Sequence, residues 1–106
     1  MSSAADERFA SVAQAHLADA RVSEGRMFGS RGLKIAGKVF AMLVKDELVV
    51  KLPADRVDAI VAARTGRRFD PGHGRPAKEW VALEPGTQLD WLELAEDARE
   101  YVRGWR

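Results

Sequence analysis

Residues 64–78 place Arg64, Arg67, Arg68, His73, Arg75 and Lys78 around Phe69, in a stretch broken by Pro71, Gly72, Gly74 and Pro76. Guanidinium groups are planar forks that match the oxygens of phosphate and carboxylate, so these six residues are a candidate anion-binding site. With Phe69 and Phe28 as stacking aromatics, the same basic region could also hold nucleic acid. The competing account is that charge and proline protect a brief edge strand over residues 67–70. Catalysis requires a positioned acid–base pair or a nucleophile. The nearest acids, Asp70 and Glu79, have no partner at such a spacing, and no catalytic residue is assigned.

Metal and thiol chemistry find no support in composition. The chain has no cysteine and only two histidines, His16 and His73, so it lacks the makings of a thiolate site, a disulfide framework or a histidine cluster. No metal and no cofactor are expected. Absence of cysteine fits a reducing compartment. No apolar run approaches the ~20 residues that span a bilayer, and residues 1–20 lack the basic start and apolar middle of a signal peptide. The expectation is a cytoplasmic protein with no membrane contact.

Formal net charge is +1 over 106 residues, too little for global attraction to a polyanion. Its distribution is uneven: residues 21–78 hold thirteen Lys/Arg against six Asp/Glu, whereas residues 79–106 hold three against seven. A basic middle lies between acidic ends.

The elements that must position these groups follow from periodicity. Phe9, Val12, Ala13, His16, Leu17 and Ala20 share one face of a helix over about residues 4–20, with Ser3 and Asp6 as a weak capping pair. His16, on that face, reads as a border or core histidine with a satisfied nitrogen rather than a ligand or a base. Residues 23–32, with Gly25, Gly29 and Gly32, read as a connector from which Met27 and Phe28 pack inward. A phosphate-cradling loop is excluded there, because a helix precedes it and strands follow.

Three antiparallel strands then occupy residues 33–36, 39–44 and 48–52, separated at Gly37-Lys38 and Asp46-Glu47. The middle one is apolar on both faces and must be central and covered on both sides. Pro53 and Asp55 start a short helix with Val57, Ile60, Val61 and Arg64 inward, and Gly66 is placed to end it in a left-handed cap. Residues 78–84 form another strand. Thr87, with Asp90 three residues on, is the expected cap of a last helix whose stripe is Trp91, Ala95, Ala98, Val102 and Trp105, flanked by Leu92, Leu94 and Tyr101. The class is α+β, a single domain over residues 1–106 with an antiparallel sheet and helices packed mainly on one face.

Met27-Phe28-Gly29, Gly32-Leu33, Gly37-Lys38-Val39-Phe40-Ala41, Leu48-Val49-Val50-Lys51 and Pro76-Ala77-Lys78-Glu79-Trp80, in this order and spacing, resemble the N-terminal domain of the TfoX/Sxy family, bacterial proteins associated with competence regulation. Similarity runs over about residues 9–103. The resemblance implies an α-β(3)-α-β(2)-α domain and a regulatory role, and it brings no catalytic residues to carry over. Longer members continue into a second, helical domain, whereas this sequence ends at Arg106, so a stand-alone domain is expected.

The leading reading is a non-enzymatic interaction module that contacts a protein partner or its own copy. A two-fold homodimer would cover the apolar central strand, and Trp91, Tyr101 and Trp105 are the candidate interface residues of the last helix. Nucleic-acid or anion binding through residues 64–78 is the alternative.

Overall fold

The computed structural model describes residues 4–27, 30–69, 78–84, 86, 87 and 89–104. Its elements run α1 (Ala4–Leu17), β1 (Val22–Met27), β2 (Ser30–Ile35), β3 (Lys38–Val44), β4 (Glu47–Lys51), α2 (Ala54–Ala62), β5 (Arg67–Arg68), β6 (Trp80–Leu83) and α3 (Trp91–Arg103). The six strands form one antiparallel sheet in the order β1-β2-β3-β4-β6-β5. Buried residues of all three helices join those of one sheet face in a single cluster, so the α+β class with helices on one face holds.

The sheet has one strand more than periodicity suggested. Val22–Met27, read as connector, pairs along its whole length with β2, from Val22 opposite Ile35 to Met27 opposite Ser30. Its composition, Ser23, Glu24, Gly25 and Arg26, hides it, since a solvent-exposed edge strand needs no apolar alternation. Gly25 and Gly32 face each other in extended backbone rather than at a turn, and the Lys34 stem fills the space over Gly25. The expected inward packing of Met27 and Phe28 lies outside the described side chains, as does the Ser3 cap.

β3 sits between β2 and β4, the central place expected for it, and Phe40, Ala41, Met42 and Leu43 are buried. Strict alternation fails at one point. Leu33 pairs with Ala41 but Lys34 with Val39, so Phe40 is an extra residue in a β-bulge. A bulge lets consecutive side chains point the same way, and both Phe40 and Ala41 enter the helix-side core. The strand breaks also fall one residue earlier than expected. Ala36-Gly37 (φ 50° and 82°) and Lys45-Asp46 (φ 49° and 65°) are the two-residue turns, each with both residues left-handed, which matches the twist of the flanking strands.

Helix ends are set by local hydrogen bonds that composition only partly signals. α1 stops at Leu17, short of Ala20, because the Asp19 carboxylate accepts from the Arg21 backbone N–H at 2.9 Å and from its guanidinium at 2.8 Å, a turn that competes with continued helix. Leu17, expected inside, is 40% exposed. After α2 the left-handed residue is Arg64 (φ 58°), not Gly66. Gly66 serves close approach instead: a Cβ there would lie 2.9 Å from Ile60 Cγ2 and Leu83 Cδ2. The cap of α3 is Asp90 rather than Thr87. Its carboxylate accepts from the Leu92 N–H at 2.9 Å, while Thr87 accepts from the Leu89 N–H and donates to the Thr65 carbonyl.

Candidate interaction surface

The helix-free face of the sheet is built by register. Met42 lies opposite Val49, Val49 opposite Ala82, and Ala82 opposite Arg67, so one row crosses β3, β4, β6 and β5. The neighbouring row pairs Lys51 with Trp80. Met42, Val49 and Ala82 are 4%, 1% and 1% exposed, packed against by the half-buried Val39, Val44, Phe69 and Trp80. Of the apolar residues that the central strand offers away from the helices, Met42 is thus covered by side chains of the same chain, while Val39 and Val44 stay half-buried. Phe69 is held there because its N–H donates to the Trp80 carbonyl, continuing the pairing of β5 with β6. The Lys51 ammonium stands 5.6 Å from the Trp80 ring centre, a cation–π distance.

Alternation along β5 separates the two consecutive arginines. Arg67 takes the helix-free face and pairs with Glu47; Arg68 takes the helix side and pairs with Asp58 on α2. The structure therefore does not bring Arg67 and Arg68 onto one surface. Arg64 and Arg67 share the wall of an open cleft of about 480 Å3 with Glu47, Glu84, Thr65 and Thr87. That cleft is of mixed sign, and an anion there would compete with Glu47 for Arg67. Lys78 is exposed in the turn before β6. His73 and Arg75 lie outside the described residues.

The expected aromatic interface of α3 divides differently. Trp91 is not at the surface: it is 1% exposed, its Nε1–H donates to the Glu84 carbonyl at 3.2 Å, and Arg8 stacks on its ring at 4.8 Å. Tyr101 is half-buried against the helix-side core and donates its hydroxyl to the Glu79 carboxylate. Trp105 lies outside the described residues. What α3 does expose is Leu92, at 42%.

His16, on α1, is the buried ionisable residue of the described chain, 3% exposed and turned toward the bulge at Phe40. Its ring meets Phe40 edge-on at 5.5 Å. Contrary to the satisfied nitrogen expected, neither Nδ1 nor Nε2 has a hydrogen-bond partner, and the Arg99 Nε on α3 is likewise unpaired. Burial first, and the Arg99 charge second, push the imidazole pKa below its ordinary value, with Glu96 and the Leu92 backbone pulling the other way. That favours the neutral ring and a packing role. On the same side, hydrogen bonds from Arg21 hold the Asp19 carboxyl well below the usual carboxylate range.

Periodicity had flagged the arginines and the terminal aromatics. It missed their carboxylate partners Glu47 and Asp58, and it missed the pairing of Phe69 and Trp80 on one face. Strand alternation from Arg67 would have separated Arg67 and Phe69 from Arg68, had the edge strand's register been known. Among the described residues no group of three or more His, Cys, Asp or Glu is arranged to hold a metal ion. No described helix is long and apolar enough to cross a membrane.

A family model described as TfoX N-terminal domain matches residues 13–103. No curated protein and no solved structure matches the chain.

Proposed function

Given that the chain belongs to the TfoX N-terminal domain family, we propose that it is a non-enzymatic regulatory module, competence-related in origin, that contacts a protein partner through the helix-free face of its sheet. The carrying observation is the cluster of Met42, Val49 and Ala82 bordered by half-buried Phe69 and Trp80, on the face opposite all three helices. Large aromatics at the edge of such a cluster are the residue types that anchor protein contacts, and Lys51 with the Arg67–Glu47 pair provides a polar rim.

The test is capture from host lysate with wild-type protein, Phe69→Ser and Trp80→Leu, each with and without nuclease, after matched melting transitions show that the variants fold. A single protein retained by wild type, resistant to nuclease and lost with both variants supports this reading. Retention that disappears with nuclease transfers the surface to nucleic acid. Retention indifferent to both substitutions removes this face from the contact.

A further inference from the structure

We infer that the free edge of β1 pairs with β1 of a second copy, antiparallel and centred on Gly25, joining two six-stranded sheets across a two-fold axis. β1 ends the sheet and has β2 as its one neighbour. The Ala36 N–H donates to the Arg21 carbonyl at 3.1 Å, and the register from Val22 to Met27 is unbroken. By the alternation of an antiparallel ladder, residues 21, 23, 25 and 27 turn their backbone groups toward β2, while Glu24 and Arg26 present theirs outward; the outward N–H of Val22 is already given to the Asp19 carbonyl at 2.9 Å. Ser23, Glu24 and Arg26 are exposed.

Charge selects the occupant of that edge. Glu24 and Arg26, two residues apart, lie on one face. Arg26 stands directly opposite Arg31 in the ladder, a like-charge pair that weakens a sheet. Glu24 is taken by Arg31 at 2.8 Å, and Arg26 has no carboxylate of its own among the described residues. A two-fold centred on Gly25 sets Glu24 of each copy opposite Arg26 of the other, at both ends of the axis. Each Glu24 then lies between the Arg31 of its own chain and an Arg26 from across the edge. An edge protected against copies of itself carries like charges, commonly lysines. Opposite signs placed symmetrically about a glycine attract a copy and set its register. A like-charge approach remains between the two Lys34 side chains, whose stems lie over Gly25 on the other face. Their ammonium groups are long-stemmed, free to swing apart and screened by salt.

This contact uses the end of the sheet remote from β6 and β5 and does not rest on the partner reading above, so either can fail alone. Light scattering over a concentration series should give a dimer for wild type. Arg26→Glu and Glu24→Lys should each weaken it roughly tenfold or more, because two symmetry-related pairs change sign at once. An equimolar mixture of the two variants restores opposite charges at both positions and should associate within about threefold of wild type. Arg26→Ser leaves the Glu24–Arg31 pair intact, guards against misfolding, and should weaken the dimer about threefold. A wild type monomeric to ~1 mM, an Arg26→Ser dimer of unchanged strength, or a mixture no stronger than its components overturns the inference.

Discussion

The two faces of the sheet are built from similar residue types but to different ends. On the helix side, Phe9, Leu33, Phe40, Leu48, Val57, Leu83 and Trp91 are at most 1% exposed in one continuous cluster. On the helix-free side three residues reach that degree of burial or nearly so, and the apolar residues packed against them are half-buried. A side chain enclosed by helices above and strands below leaves a void when truncated; one under an aromatic rim leaves a hollow into which neighbours and water can settle. The first face holds the fold together, while the second leaves Phe69 and Trp80 half-buried at its surface.

The largest expected effect separates the two faces directly. Phe40→Ala should lower stability by about 3–5 kcal/mol, whereas Met42→Ala, two residues away on the other face, should lie near the bottom of its range at about 2 kcal/mol. Equal losses in chemical denaturation would erase the distinction between the faces. Gly66→Ala comes next. Its methyl would press Ile60 and Leu83 on the helix side, and overpacking of that kind costs roughly 1–3 kcal/mol. A neutral result would mean that the helix-side packing yields at this junction.

His16 offers a pH test of the helix side. Because burial and Arg99 depress its folded pKa, the unfolded chain takes up the proton first as pH falls below the ordinary histidine value, and stability must decline from there downward. His16→Leu removes both the proton uptake and two unpaired nitrogens. Its stability relative to wild type should therefore rise between pH 7.5 and pH 5 in thermal melts. A difference independent of pH would mean that the ring is not held neutral by its surroundings. The smallest expected effect lies off both faces. Ala36, exposed and left-handed, should be improved by Ala36→Asn, which completes an Asn-Gly turn, by about 0.5–1 kcal/mol. No gain there would point to strain shared with the bulge.

Residue order alone disclosed the helices, the apolar central strand and the class, because those depend on periodicity within a few turns or pleats. Trp91, Ala95, Ala98 and Val102 are spaced for one helical face and are all buried. The same local reasoning placed Arg67 and Arg68 on a brief edge strand over residues 67–70, and the structure has that strand at Arg67–Arg68. It did not reach β1, whose polar residues become a strand only because β2 supplies the hydrogen bonds. Nor did it reach the bulge at Phe40, which exists relative to Leu33 and Lys34 of another strand. The fates of Arg67 and Arg68 were decided in the same way: which face each side chain takes follows from pairing with β6, and which carboxylate meets it follows from where β4 and α2 lie. Periodicity reports how a segment relates to itself, whereas register, bulges and ion partners are relations between segments distant in the chain, and folding brings those together.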